Sequence, residues 1–283
     1  RRLPSSVRSS VSNFALPVTL FITYHMAYAG HVVGLSLSSS MHIYLCPSPE
    51  LYPLYHRPQT TVIIVDIFRA STTMVTAFAH GAKAIYPVAS TQEAESEGKR
   101  RHCLIAAERN IVRCPFAHLG NDPAEYTADK VQGQEIVFTT TNGTRALTIA
   151  REQGADTILV GALTNLRATL RHCGSLGQDV VVLAAGWKGQ ASMEDLLYAG
   201  ALADGAERLG LGSSAGDMAM MAHDLWKSHC LTLEERLQYI QKSEHYQRLE
   251  KAGFASAVPY CLTIDSFDLV LQLDGDHLVS HRH

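Results

Sequence analysis

Short apolar runs alternate with helix-forming segments along most of the chain. Residues 61–66, 135–141, 157–161 and 179–186 each begin with β-branched and aliphatic residues, and each leads through a polar loop into a segment with helical spacing. Strands that are apolar on both faces are typical of a largely parallel or mixed sheet with helices on both sides. The pattern therefore predicts an α/β fold, a three-layer sandwich whose substrate site lies at the carboxyl ends of the strands.

Further predicted elements fill the chain from residue 41 onward. Strands are predicted at residues 41–46, 84–88, 103–107 and 258–264, and helices at residues 91–101, 196–209, 217–228, 233–241 and 243–252. We expect residues 41–283 to form one α/β domain, either as a single body or as two structurally similar lobes.

The first forty residues differ from the rest. An apolar stretch at residues 14–28 follows several arginines and imitates a signal peptide, but polar residues interrupt it and it is too short for a good membrane span. Met41 stands directly before a predicted strand and has the character of a natural start. We therefore favour a third explanation, in which residues 1–40 are an extra segment outside the domain.

Composition and missing motifs narrow the classes of function. The chain is 46% hydrophobic and 18% charged, with a net charge of −3 and no long basic run, so neither nucleic acid nor a membrane is an expected partner. The six cysteines are scattered without a C-x-x-C pair, which favours reduced thiols and a cytoplasmic location. No G-x-x-x-x-G-K-[ST] motif and no clean G-x-G-x-x-G motif is present, so P-loop and dinucleotide sites are disfavoured.

The most informative segment follows the apolar run at residues 135–138. Asn-Gly within it is a strong hairpin signal, but the helical spacing of residues 144–153 favours a strand, a polar turn and a helix N-terminus. Such a terminus presents free N–H groups to an oxyanion. We expect phosphate or a similar group to bind here, through Thr139, Thr140, Thr141, Asn142, Gly143, Thr144 and Arg145.

Four carboxylates stand at positions suited to a metal. Asp66 and Glu108 each end an apolar strand, and Glu194 and Asp195 begin a helix after a glycine-rich loop. Mg²⁺ takes one or two protein carboxylates together with water and substrate oxygens, so all four are candidate Mg²⁺ ligands. The alternative is that Asp66 caps a helix and that the pair at 194–195 only complements a helix dipole.

Arginine and asparagine side chains follow the same strand ends. Guanidinium groups bind phosphate, carboxylate or sulfonate with two hydrogen bonds, and three arginines near one edge indicate a small, multiply charged anion. Ordinary surface salt bridges are the alternative for each arginine. The residues concerned are Arg69, Arg109 and Arg145, with Asn121 and Asn165 as further candidate ligands.

Five segments together resemble one family. They are V-D-I-F-R-A-S-T-T at residues 65–73, A-E-R-N at 107–110, L-G-N-D-P at 119–123, T-T-T-N-G-T at 139–144 and the run at 185–195 that ends in S-M-E-D. In this order they are similar to the signatures of the 2-phosphosulfolactate phosphatases of coenzyme M biosynthesis, with Ala107 in place of the usual glycine. The resemblance implies a Mg²⁺-dependent acid phosphatase, on an α/β fold of its own, that releases phosphate and (R)-3-sulfolactate.

Asp66, Arg69 and Glu108 are the expected catalytic residues. Hydrolysis by metal-bound water and a phospho-aspartate on Asp66 both stay open, and we favour water because Phe68 stands where aspartyl-phosphate enzymes have a second aspartate. The expected partner is a small anionic phosphate ester, and a homo-oligomer is compatible with the sequence. The alternatives are a phosphatase for another small phosphorylated hydroxy acid and a non-catalytic protein that binds a small anion.

Overall fold

The structure is a computed structural model that describes residues 40–282. The predicted extra segment at residues 1–40 therefore lies, apart from Ser40, outside the described residues, and its separation from the domain stays a prediction. The strands are β1 Met41–Cys46, β2 Thr60–Val65, β3 Ala84–Pro87, β4 Leu104–Arg109, β5 Val112–Arg113, β6 Glu135–Thr139, β7 Thr157–Gly161, β8 Asp179–Ala184, β9 Gly212–Ser214, β10 Val270–Asp274 and β11 His277–His281.

Helices follow most of the strands. They are α1 Tyr52–Tyr55, α2 Ala70–Ala79, α3 Thr91–Arg101, α4 Ala128–Val131, α5 Gly143–Glu152, α6 Leu166–Leu176, α7 Met193–Arg208, α8 Asp217–His229, α9 Leu233–Ile240, α10 Glu244–Lys251 and α11 Val258–Cys261. Short 3₁₀ turns lie at Pro49–Leu51, Pro123–Glu125, Leu163–Asn165 and Ala255–Ala257. No helix within residues 40–282 combines the length and the apolar character needed to cross a membrane.

The predicted α/β sandwich is confirmed. Adjacent residues of β2 point to opposite faces of the sheet, and both faces are buried. Val62 and Ile64 pack in a core with α2 and α5, whereas Ile63 and Val65 pack in a second core with α6 and α7. A continuously apolar strand is thus the consequence of two helical layers, as the pattern predicted.

The strand order is β5-β4-β6-β3-β11-β10-β7-β2-β8-β1-β9. β7, β2, β8, β1 and β9 are parallel to one another, and so are β3, β6 and β4. The β10–β11 hairpin lies between these two blocks and is antiparallel to both of its neighbours, β7 and β3. Three antiparallel steps reverse the direction, so the two parallel blocks run in opposite senses.

The opposite directions of the two blocks correct the expectation that the carboxyl ends of all these strands lie at one edge of the sheet. In a flat sheet the carboxyl ends of β2 and β6 would lie at opposite edges. They nevertheless meet, because a Cβ atom built on Gly143 at the start of α5 would lie 2.9 Å from the Cβ of Ala70 at the start of α2. The sheet must therefore curl, as wide twisted sheets do, so that the two blocks face each other with their carboxyl ends.

The predicted strand at residues 258–264 is wrong, since Val258–Cys261 is a short helix that begins beside Pro259. Proline fixes φ near its helical value and suits the first helical turn, so β-branched composition was the weaker signal there.

Candidate active site

Asp66 and Arg69 lie in the turn between β2 and α2. The backbone N–H of Ser71 donates to the carbonyl of Asp66 (2.9 Å), and Ala70 N–H donates to Asp66 Oδ1 (3.4 Å). The carboxylate therefore lies over the first turn of α2, where the helix dipole favours negative charge. Gly143 approaches it from the other block, because a Cβ atom there would come within 3.0 Å of Asp66 Oδ2.

Glu108 is the last buried residue of β4, directly before a tight hairpin to β5. Its Oε1 accepts hydrogen bonds from the N–H of Ile111 and from the hydroxyl of Thr141 (3.2 Å). Asn110 and Ile111 have positive φ values of 52° and 76°, so the chain reverses within two residues. Glu108 thus connects the β4–β5 hairpin to the turn after β6.

Residues of the polar turn after β6 form most of their hydrogen bonds with one another. Thr140 N–H donates to Thr144 Oγ1 (3.4 Å), whose hydroxyl donates to the carbonyl of Thr140 (3.2 Å). Thr139 accepts from Arg109 Nη2 (3.0 Å). Thr139, Thr140 and Thr144 are buried and shape the turn, whereas Thr141 and Asn142 reach the surface of a cavity.

That cavity, called the inner cavity below, brings together residues from both parallel blocks and from α10. Its volume is about 20 Å³, close to the space of a single water molecule. Of the predicted site residues it is lined by Asp66, Arg69, Glu108, Asn121, Thr141 and Asn142, and of the others by Phe68, Ile111, Trp187, His245 and Leu249.

Burial raises the pKa of Asp66 to about 6. Loss of solvent is the largest cause, and the charges of Glu108 and Glu194 act in the same direction. His245 and the Ala70 N–H oppose the rise by favouring the carboxylate. A carboxyl group in this range can exchange protons near neutral pH, which is a property of functional sites.

Arg69 is held from three sides at the floor of the inner cavity. Its Nη2 donates to the carbonyl of Ile111 (3.2 Å), Nη1 lies 3.5 Å from Asp122 Oδ2, and the guanidinium stacks 4.4 Å from the centre of the Phe254 ring. Within residues 40–282, Nη1 makes no hydrogen bond although it is buried. Nη1 is therefore a fixed donor with capacity for an anion.

The second acidic pair is arranged differently. Asp195 is 2% exposed, and its two oxygens accept the backbone N–H groups of Ile67 (2.9 Å) and Gly186 (3.1 Å). Burial raises its pKa well above the usual value, and the neighbouring charges of Glu194 and Asp66 add to the rise. Asp195 thereby ties the β2–α2 turn to the loop after β8, and both of its oxygens are used within the protein.

Glu194 is 1% exposed and faces α10. His245 Nδ1 donates to Glu194 Oε1 at 2.6 Å, while Oε2 has no hydrogen-bond partner in the described part of the chain. The four predicted carboxylates are consequently not grouped around one point. Among residues 40–282 no set of three or more His, Cys, Asp or Glu side chains is placed to hold a metal ion.

Most of this chain is similar to one family of known proteins. Residues 46–276 match the family model described as 2-phosphosulpholactate phosphatase. The chain belongs to the 2-phosphosulfolactate phosphatase family. All five segments that carried the resemblance lie inside or overlap the matched range, so the resemblance to this family is confirmed.

The matches between this chain and its relatives cover most of each relative's length. The chain is 34% identical over 218 residues to the probable 2-phosphosulfolactate phosphatase of Caldanaerobacter subterraneus subsp. tengcongensis, a match that covers 76% of this chain and 88% of the relative. It is 36% identical over 210 residues to the probable enzyme of Thermotoga maritima, with 74% and 87% covered. The relatives are named as phosphatases, and membership places this chain among the phosphoric monoester hydrolases.

Besides Thr139, Thr140, Gly143 and Thr144, which form the turn after β6, three further predicted substrate ligands do not line the inner cavity. Arg145 is exposed and forms an ion pair with Glu50. Asn165 is buried, with Oδ1 accepting from Ala162 N–H (2.9 Å) and Nδ2 donating to the carbonyl of Leu269 (3.1 Å). Arg109 spans the hairpin by donating to the carbonyls of Glu108 (2.6 Å) and Ala89 (3.3 Å) as well as to Thr139.

The structure also adds cavity residues that the pattern did not single out. Phe68, Ile111 and Trp187 lie beside or within the segments of the family resemblance, so their neighbours in sequence were the available signal. His245 and Leu249 come from α10, which follows those segments by about fifty residues and carries no motif that points to chemistry. Only the tertiary packing of α10 brings them to the site.

Proposed function

We propose that this protein hydrolyses 2-phosphosulfolactate to 3-sulfolactate and phosphate, with Mg²⁺ as cofactor. The observation that carries the proposal is the inner cavity of a member of this family, in which buried Arg69 faces Asp66 and Glu108. A cationic donor beside two carboxylates at the ends of strands suits a phosphoryl group and the water that attacks it. The names of the relatives support the choice of substrate.

Asp66, Glu108 and Asn121 are the residues that would hold Mg²⁺. All three present hard oxygen donors to the inner cavity, and the buried Oδ1 of Asn121 has no hydrogen-bond partner among the residues described. Mg²⁺ needs no more than one or two carboxylates because it keeps several waters. When bound, it would polarise the phosphoryl oxygens and favour ionisation of a bound water.

The side chains of this chain supply the remaining steps. Arg69 Nη1 binds an equatorial phosphoryl oxygen and stabilises the charge that grows there. Asp66 and Glu108 orient the attacking water from the opposite parallel blocks of the sheet. Phe68 and Leu249 keep bulk water away from the reacting groups.

Substrate entry requires movement of the β4–β5 hairpin. A phosphate ester cannot fit into about 20 Å³. Ile111 closes the inner cavity through its side chain and through the carbonyl that binds Arg69. Displacement of this hairpin would enlarge the cavity and at the same time release Nη2 of Arg69 for the substrate.

The proposal is tested by measuring phosphate release. Chelator-treated protein is assayed on 2-phosphosulfolactate, phospholactate and phosphoglycolate, without added metal and with Mg²⁺. We expect activity to depend on Mg²⁺ and kcat/KM to be highest for 2-phosphosulfolactate. Full activity in excess EDTA would remove the metal from the proposal, a preference for another ester would change the substrate, and binding without hydrolysis would indicate an anion-binding protein.

A further inference from the structure

A second cavity adjoins the inner one. This outer cleft has a volume of about 260 Å³ and lies between the loop that precedes α7 and the start of α10. Its lining includes two cations, Lys242 and Arg248, and two carboxylates, Glu194 and Glu244. The guanidinium of Arg248 is the group there that suits an anion. The outer cleft and the inner cavity share two lining residues, Trp187 and His245.

His245 is fixed at this junction. Its Nδ1 donates to buried Glu194 Oε1 at 2.6 Å, and its ring packs edge-on against Phe68 and beside Trp187, with ring centres 5.9 and 6.0 Å apart. The bond to Glu194 uses Nδ1, which leaves Nε2 as the ring nitrogen for a ligand. A carboxylate on the far nitrogen sets the tautomer and stabilises an imidazolium, as in other acid–base histidines.

Arg248 contributes a cation to the lining of the outer cleft. Its guanidinium lies 4.4 Å from the centre of the Trp187 ring, and its Nη1 lies 3.7 Å from Oε2 of the exposed Glu244. Its Nε is buried and makes no hydrogen bond within residues 40–282. A phosphate ester with its phosphoryl group on Arg69 and its organic anion toward Arg248 would lie along the residues that the two cavities share, Trp187 and His245. The oxygen that joins phosphorus to carbon would then lie at the shared junction.

We propose that His245 is the acid that protonates the leaving oxygen, with Glu194 as its positioning residue. The proposal rests on the phosphatase function proposed above. Water forms a new bond to phosphorus while the bond from phosphorus to the ester oxygen breaks, and that oxygen keeps the electron pair. The proton on His245 Nε2 passes to this oxygen, so the alcohol leaves neutral, and the proton lost by the attacking water restores the balance through solvent.

A comparison of leaving groups tests this role. An alkyl ester such as 2-phosphosulfolactate or phospholactate releases a strongly basic alkoxide, whereas p-nitrophenyl phosphate releases a stable phenolate that needs no proton. We expect His245→Gln to lower kcat about 10²- to 10⁴-fold on the alkyl ester, the usual contribution of an acid catalyst, and less than about tenfold on the aryl ester. Glu194→Gln should show the same selectivity with a smaller loss.

The controls separate the possible results. His229→Gln, an exposed histidine at the end of α8, should change neither rate. Retained activity on the aryl ester shows that the His245 and Glu194 variants are folded. Equal losses on both esters, or unchanged rates on both, would overturn the acid role while leaving the phosphatase function intact. Wild-type protein that hydrolyses neither ester would instead overturn the proposed function.

Discussion

Asp66 and Asp195 are both buried carboxylates that follow neighbouring strands, but their oxygens form different hydrogen bonds. Each follows a central strand of the same parallel block, each is buried, and the pKa of each is raised by burial. Both oxygens of Asp195 accept backbone N–H groups, whereas Asp66 makes one long hydrogen bond and faces the inner cavity. The hydrogen bonds of a carboxylate, more than its burial, therefore separate a functional from an architectural role.

The arginines show the same contrast. Both form an ion pair, Arg69 with Asp122 and Arg145 with Glu50, but Arg69 is 2% exposed and its Nη1 makes no hydrogen bond within residues 40–282, whereas Arg145 is exposed. Both follow a strand end in sequence, so only the direction of the side chain distinguishes them. If these contrasts are right, substitutions of Asp66 and Arg69 lower catalytic activity. Substitutions of Asp195 and Arg145 change only the stability or have no effect.

The largest expected effect is on catalysis at Asp66. Asp66→Asn removes the charge that we propose orients water and holds Mg²⁺, and we expect kcat/KM to fall about 10²- to 10³-fold or more. Circular dichroism should report an unchanged fold. Titration calorimetry should show weaker Mg²⁺ binding, and activity within threefold of wild type would contradict the assignment.

Loss of the guanidinium at Arg69 should rank next. Arg69→Ala removes a charge-assisted donor to the phosphoryl group, and kcat/KM should fall by about 2–4 kcal/mol in transition-state stabilisation. Arg145→Ala is the matched control, since an exposed ion pair contributes under about 1 kcal/mol. Similar values of kcat/KM for the two variants would erase the contrast between them.

A pH series on metal-free protein tests the cost of the charge on Asp66. Its pKa rises from 3.8 to about 6 on folding, so the folded state binds this proton more tightly than the unfolded state does. The free energy of unfolding should therefore fall as pH increases from about 4 to 6, with the full penalty above pH 6. Asp66→Asn should be more stable than wild type at pH 7.5 by at most about 3 kcal/mol.

Urea unfolding in EDTA at pH 4, 5, 6 and 7.5 measures this difference. The difference between the two proteins should be small at pH 4, where the wild-type carboxyl is protonated in the folded state and only about half ionised in the unfolded state. A wild type that is the more stable protein at pH 7.5 would show that the Asp66 charge is stabilised by its surroundings and is not penalised.

Asp195→Ala should act in the opposite direction on stability. It leaves the N–H groups of Ile67 and Gly186 without their acceptor, and we expect the free energy of unfolding to fall by about 1–3 kcal/mol. Thermal unfolding with saturating Mg²⁺ measures the loss. An unchanged melting temperature would mean that water replaces the carboxylate and that the tie between the two loops is dispensable.

The smallest effect is expected at Thr141. Thr141→Val keeps the shape of the side chain but removes the hydroxyl that donates to Glu108, at a cost of about 1 kcal/mol. The loss should appear in kcat/KM, because Glu108 is held for its role in the inner cavity. Thr148→Val is a suitable control, since its hydroxyl only donates to the carbonyl of Thr144 within α5.

Local sequence was sufficient for most of the elements and for several of the residues that line the inner cavity. The apolar runs predicted β1 and β2 to within one residue, and the helix predicted at residues 91–101 has these bounds in the structure, where Ser90 caps its N-terminus. Asp66, Arg69 and Glu108 lie at or just after strand ends, which is where ligands bind in α/β proteins, and all three line the inner cavity.

Long-range relations were beyond the reach of those patterns. Nothing in a strand's own sequence gives its direction relative to a distant strand, so the opposite senses of the two blocks could not be predicted. The packing of α10 against the inner cavity was equally hidden, and with it the position of His245. The structure uses the amide of Asn165 within the protein, and its sequence did not reveal this, because a loop asparagine that caps its own backbone has the same sequence context as one that binds a ligand.

The hairpin that joins the two blocks also sets the order of assembly during synthesis. β3 and β7 lie within residues 84–161, whereas the hairpin that bridges them comes from residues 270–281. A ribosome has therefore already released every residue of the inner cavity before the bridging strands emerge. We expect the two parallel blocks of the nascent chain to remain unjoined until then, so that the inner cavity is completed only after residues 270–281 have emerged.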